Sequence, residues 1–131
     1  TLKSAGTKKI DGQETYVLSY FPKAGGSLDF TVKLFFDKQN FHHIRTEYRR
    51  TVTPKEETFG RLGTQTGVKI SLIENFSDFK SENNLTLPYS YKIQYVTESN
   101  SGTYEYNWSF KISQYLLNQN LDSNFFTFDA K

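Results

Sequence analysis

Alternation of apolar and polar residues between positions 103 and 116 constrains this chain more than any other feature. Period two is the repeat of a β-strand, in which successive side chains point to opposite faces. Stripes with the 3.6-residue period of a helix are nearly absent along the whole length. The alternation therefore predicts an all-β protein. In the 103–116 segment the apolar set is Tyr104, Tyr106, Trp108, Phe110 and Ile112, and the polar set is Glu105, Asn107, Ser109, Lys111 and Ser113.

Turn-forming residues divide the remaining alternation into about seven strands. Asp11-Gly12, Asn83-Asn84 and the segment 99–102 are hairpin-turn sequences, and the spacing slip near Phe76 and Phe79 predicts a β-bulge. Pro88 predicts a strand edge, a strand start or a bulge. The role of the 51–67 segment is left open, and 125–128 is predicted to close the core. The predicted strands cover residues 8–10, 14–21, 28–37, 41–50, 68–79, 85–97 and 103–116.

The length of 131 residues fits a single β domain, because domains commonly have about 100 to 150 residues. Aromatic residues make up 17% of the chain, with 12 Phe and 9 Tyr, so a few large rings supply the core material. Strands this long twist and coil. We therefore expect a strongly curved antiparallel sheet that forms an incomplete, half-open β-barrel.

One face of these strands is apolar and rich in tyrosine. In the 28–37 segment, Phe30, Val32, Leu34 and Phe36 fall on one side, and the polar positions that include Asp37 fall on the other, which we expect to face solvent. The apolar side is either a packed core or the wall of a ligand cavity. Tyrosine hydroxyls need partners when buried, which favours a partly hydrated cavity. Either interpretation places Trp108 on a buried face.

The sequence contains no recognisable catalytic or metal-binding motif. The 16 basic and 14 acidic residues are scattered, with a net charge of +2, which gives no indication of a nucleic-acid partner. The chain has no cysteine, and the adjacent His42 and His43 point to opposite faces of a strand, so they cannot share a metal. No apolar stretch reaches about 18 residues. We expect a non-enzymatic protein without metal or cofactor that does not span the membrane.

Five short segments resemble the LolA/LolB-like superfamily of periplasmic lipoprotein carriers and related outer-membrane lipoprotein-sorting proteins. The segments 73–80 and 84–93 precede a final long strand, in the order found in these proteins. The segments 16–20, 34–37 and 44–48 resemble their earlier hairpin. The resemblance covers about residues 10 to 128. The chain lacks the helix with which these proteins usually begin, and it starts at Thr1. We therefore expect a trimmed or processed product, such as the C-terminal β-sheet part of a longer chain.

The resemblance implies a cell-envelope, periplasmic domain that holds a lipid or a lipoprotein acyl chain on a concave apolar sheet face covered by helices. A partner protein of the envelope would hand over the cargo. No gating residue of the family can be matched here. The alternative is a structural or interaction module that pairs through exposed strand edges. The residues matched to the family's apolar lining are Phe30, Val32, Leu34, Phe36, Tyr91, Ile93, Tyr106, Trp108 and Phe110.

Overall fold

The computed structural model describes residues 1–21, 29–52, 67–121 and 125. Seven strands form one antiparallel sheet in which every strand pairs with its neighbours in sequence. The all-β prediction is confirmed, as is the number of strands. No helix occurs in the described part of the chain. The strands are β1 (Leu2–Ile10), β2 (Gln13–Tyr20), β3 (Asp29–Asp37), β4 (His43–Val52), β5 (Val68–Glu82), β6 (Leu85–Ser99) and β7 (Gly102–Lys111).

Two hairpins have the two-residue turns that their sequences predict. Asp11 and Gly12 have φ angles of 48° and 88°, and Asn83 and Asn84 have φ angles of 48° and 66°. Positive φ at both central residues matches the right-handed twist of the flanking strands, and asparagine, aspartate and glycine tolerate it best. The first turn joins β1 to β2 and the second joins β5 to β6.

The turn between β3 and β4 is built around one carboxylate. The Oδ1 atom of Asp37 accepts the backbone N–H groups of Gln39 at 2.8 Å and Asn40 at 2.9 Å. Gln13 donates to the other oxygen, Oδ2. These bonds, with that from Asn40 the strongest, lower the pKa of Asp37 although its burial opposes the shift. The carboxylate therefore fixes the end of β3.

A register shift changes which side chains share a face. Between β3 and β4, Phe35 pairs with Arg45 but Phe36 pairs with His43. In β5, Asp78 has a φ of 56°, and the β5–β6 register is the same before and after it. The bulge predicted near Phe76 and Phe79 is therefore not found in this pairing. Pro88 lies opposite Phe79, before Ser90, the first residue of β6 that pairs with β7.

The main apolar cluster lies on the face opposite the predicted ligand wall. Ile10, Val17 and Phe35 are 6%, 4% and 0% exposed, and the half-buried Ile44 packs against them. Asp37 projects from the same side of β3 and is also buried. The expectation that this side of β3 faces solvent is therefore wrong at Phe35 and Asp37, because β1 and β4 supply contacts that local alternation does not show.

Several expected boundaries differ from the structure. β1 begins at Leu2 and not at position 8, and β7 ends at Lys111, before the predicted end at 116. Most of the 51–67 segment and of the 125–128 segment lies outside the described residues. In the described chain β1 pairs only with β2, and β7 only with β6, so the sheet is open. The half-open barrel remains a prediction.

Candidate functional site

One face of the sheet carries four rows of side chains that run across the strands, which we name the aromatic face. The pairing register aligns the rows, since directly opposed residues in an antiparallel sheet project to the same side. His43 and Phe76 are joined by a ring contact, since the register does not pair them. In strand order, the rows are Phe36, His43, Phe76, Tyr91 and Phe110; Leu18, Leu34, Thr46, Glu74, Ile93 and Trp108; Tyr20, Val32, Tyr48, Leu72, Tyr95 and Tyr106; and Phe30, Arg50, Ile70, Thr97 and Tyr104.

The first row is a continuous ladder of rings across five strands. The ring centroids of Phe36 and His43 lie 5.1 Å apart, and those of His43 and Phe76 also 5.1 Å. Phe76 stacks on Tyr91 at 5.1 Å, and Tyr91 stacks on Phe110 at 5.7 Å. Aromatic pairs at 4.5 to about 7 Å attract each other beyond simple area burial. The ladder therefore joins β3 to β7 along one end of the face.

All nine residues predicted to line a ligand site lie on the aromatic face. Those on β3 and β6 are buried or half-buried, with Val32 at 7% exposure. Those on β7 are exposed: Tyr106 at 54%, Trp108 at 45% and Phe110 at 45%. The expectation that Trp108 faces a buried interior is therefore wrong for the described chain. Strands β3 and β6 are separated by β4 and β5, whose side chains complete the face.

A carboxylate lies in the middle of the aromatic face. Glu74 is half-buried on β5 and accepts a hydrogen bond from the Tyr91 hydroxyl. Burial and then this bond raise the pKa of Tyr91 to about 12. Burial and the nearby Glu74 also raise the pKa of Tyr48. Both hydroxyls therefore keep their protons at neutral pH and can donate to Glu74.

His43 borders this carboxylate at the start of β4. Its Nε2 atom lies 3.0 Å from the Arg45 carbonyl oxygen and 2.9 Å from Thr46 Oγ1. Since a carbonyl only accepts, Nε2 carries a proton and donates. Burial lowers the pKa of His43, against smaller opposing effects of the Arg45 carbonyl and Glu74. The histidine thus acts as a neutral, hydrogen-bonded ring of the ladder.

Among the residues of this face that the sequence-based selection did not include, four form or border the site of the carboxylate: His43, Tyr48, Glu74 and Phe76. Glu74 and Phe76 continue the alternation of Ile70 and Leu72, so extending the period by two steps could have found them. On β4, Tyr48 could have been found by the same two-residue alternation. His43 could not be found this way. Strict alternation along β4 would place it on the opposite face, and the register shift beside Phe36 moves it to the aromatic face.

Two grooves lie elsewhere on the described sheet. One of about 550 Å³ runs beside the first hairpin turn and includes Asp11, Arg45 and Lys92. Another of about 410 Å³ lies between the ends of β4 and β5 and includes Arg49, Arg50 and Lys69. In the part of the chain that the structure describes, no group of three or more acidic, histidine or cysteine side chains could hold a metal ion. The described residues also include no helix that could cross a membrane.

Comparison with known proteins returns no match. No family model matches the chain, and neither the curated proteins nor the solved structures contain a significant relative.

Proposed function

We propose that this protein is a non-enzymatic cell-envelope domain that binds the acyl chain of a lipid or lipoprotein on its aromatic face. The observation that carries the proposal is the exposure of four aligned rings on β7, between 45% and 58%. Exposed apolar patches of this kind mark binding surfaces, because leaving them in water is unfavourable. The rings are Tyr104, Tyr106, Trp108 and Phe110.

The charge of the aromatic face favours an acyl chain over a nucleic acid. Proteins that stack bases on aromatic side chains combine the rings with a positively charged groove along the phosphates. Within the four described rows the only acidic residue is Glu74, and the only lysine or arginine is Arg50. A face of this composition offers apolar contact and little attraction to a polyanion.

The half-open barrel and the periplasmic location belong to this proposal and rest on the resemblance to lipoprotein carriers. In that arrangement the sheet curves around the acyl chain and helices cover it. The described residues contribute the sheet. An acyl chain on the aromatic face would then be enclosed between the rings of β6 and β7 and a covering segment.

The single tryptophan of the chain provides a direct test, since Trp108 lies on the aromatic face. A stearic acid carrying a nitroxide quencher on its chain should reduce Trp108 emission saturably, at concentrations below those at which the probe forms micelles. Solvent extraction of the purified protein followed by mass spectrometry should recover lipid. Absence of both quenching and bound lipid would contradict the proposal.

Pairing of β7 with a strand of another protein is a second candidate function. All ten residues of β7 are exposed, and it forms one edge of the described sheet. An edge strand presents unpaired backbone groups to which a further strand can add. Light scattering should detect such assembly, and proline at an outward-facing N–H of β7 should abolish it. Proline should leave nitroxide quenching of Trp108 intact if lipid binding is the function.

A further inference from the structure

Glu74 lies among mostly apolar and aromatic side chains of the aromatic face. Leu72 and Phe76 project to the same face two residues before and after it on β5. Across the strands, Glu74 lies opposite Thr46 on β4 and Ile93 on β6. A negative charge in such surroundings loses hydration, and a cation or several hydrogen-bond donors must compensate for that loss.

No cation of the described chain compensates the charge of Glu74. By comparison, the buried Glu47 of β4 lies within 4.0 Å of three basic side chains on the opposite face. Within residues 1–21, 29–52 and 67–121, no lysine or arginine forms an ion pair with Glu74. The partners that the carboxylate does have are the hydroxyls of Tyr91 and Tyr48. Among the described residues, its charge is thus not neutralised by a lysine or an arginine.

The rings beside Glu74 complete a site for an organic cation. Phe76 and Tyr91 stack at 5.1 Å on one side of the carboxylate's row, and Tyr48 approaches from the other side. Phe76 and Tyr91 have neighbouring rings of the ladder on both sides, so they border the carboxylate and offer apolar contact to the alkyl groups of an ammonium head. A carboxylate at the centre adds a direct charge interaction.

We infer that Glu74, Tyr48, Phe76 and Tyr91 form a subsite for the ammonium headgroup of an acyl-chain ligand. This inference rests on the proposed function and names the polar end of that ligand. The alkyl chain follows the row from Glu74 through Ile93 to Trp108. Two strand spacings of about 4.8 Å separate Glu74 from Trp108, so a twelve-carbon chain reaches the indole. A phosphate or carboxylate headgroup would be repelled at this position.

The test compares single-chain amphiphiles with twelve-carbon chains and heads of different charge. Trp108 emission is titrated with dodecyltrimethylammonium, dodecyl maltoside and dodecanoate, each below its micelle concentration. Dodecyltrimethylammonium should bind about tenfold more tightly than the neutral maltoside, and dodecanoate more weakly than either. Tetramethylammonium at equal concentration should fail to displace dodecyltrimethylammonium, because it lacks the chain. Displacement by tetramethylammonium would show a free-cation site and overturn the assignment to a headgroup.

Glu74→Gln should remove the preference for the cation, so that dodecyltrimethylammonium and dodecyl maltoside bind the variant with similar affinity. Glu105→Gln is the matched control, since Glu105 lies on the opposite face of β7, where it bonds to Gln94 and Asn107. It should retain the tenfold preference. Equal affinities of the wild-type protein for the cationic and neutral probes would overturn the inference without any variant. Failure of the neutral probe to bind at all would instead contradict the proposed function.

Discussion

The two faces of this sheet bury their aromatic residues to very different extents. On the opposite face, β1 to β4 enclose Phe35 completely, and the apolar cluster around it is closed. On the aromatic face, the rings of β7 remain about half exposed. Both sets arise from the same two-residue alternation. The difference shows that alternation determines which face a ring belongs to, whereas contacts distant in sequence determine whether that ring is covered.

The acidic residues of the two faces differ in the same way. Glu47 is 4% exposed and lies 3.2 Å from Arg49, 3.8 Å from Arg45 and 3.9 Å from Lys8. Lys8 also lies over the Phe35 ring, at 5.5 Å from its centroid. The opposite face thus balances its buried charge internally. Among the described residues, Glu74 on the aromatic face accepts from tyrosine hydroxyls and forms no ion pair with a lysine or an arginine, as expected of a surface that is completed by a ligand.

The face that carries the Phe35 cluster is called the closed face below. The largest expected effect on stability comes from removing an aromatic ring from this closed face. Phe35→Ala should lower the free energy of unfolding by about 3 to 5 kcal/mol, because the residue is fully buried and leaves a cavity. Phe110→Ala is the matched control on the aromatic face and should lower the free energy of unfolding by less than about 1 kcal/mol. Urea denaturation followed by circular dichroism measures both. Equal losses would mean that the two faces are covered to the same extent.

The charges provide a second comparison of the two faces. Glu47→Gln should destabilise the protein by about 2 kcal/mol, because it removes the buried charge partner of the largely buried Arg45 and leaves it with the exposed Asp11. Glu74→Gln should cost less than about 1 kcal/mol, since the amide oxygen still accepts the Tyr91 hydroxyl. The same urea titrations report both values. A larger loss for Glu74→Gln than for Glu47→Gln would indicate that Glu74 serves stability and not binding.

Acid should weaken the closed face first, through Asp37. The folded-state pKa of Asp37 lies below its ordinary value, so its contribution to stability is complete above the unfolded-state pKa of about 3.9. That contribution is lost as the pH falls through the folded-state pKa. Asp37→Asn should therefore be clearly less stable than wild type at pH 6, and the gap should narrow below about pH 4. Thermal unfolding at several pH values measures the gap, and a constant gap would contradict this linkage.

The fold was largely predictable because its determinants are local. The turns at Asp11-Gly12 and Asn83-Asn84 follow from residues that tolerate positive φ, and the strands follow from alternation between such turns. Placement of the nine predicted ligand-lining residues on one face followed from the same period. The burial of Asp37 was not predictable, since it depends on contacts with Gln13 and with the turn after β3.

The centre of the candidate site was harder to predict from the sequence than the fold. His43 joins the aromatic face through a register shift between β3 and β4. The residue types in the sequence do not predict this shift, because bulges depend on the pairing of two strands. The exposure of Trp108 depends on whether any segment covers β7, which alternation within β7 does not encode. Glu74 follows the apolar period of β5, but a charged residue in an apolar stripe is easily mistaken for a solvent-facing position.

The smallest effect on stability is expected at Trp108, where the structure reverses the sequence-based expectation. A charge at a buried position would unfold the sheet, but Trp108 is 45% exposed, so Trp108→Asp should lower the free energy of unfolding by less than about 1 kcal/mol. Acyl-chain binding, measured by calorimetry with dodecyl maltoside, should nevertheless be lost. Ser109→Asp, on the other face of β7 and opposite Lys92, should preserve both stability and binding. Unfolding of Trp108→Asp alone would place Trp108 in the core and make the aromatic face a structural surface.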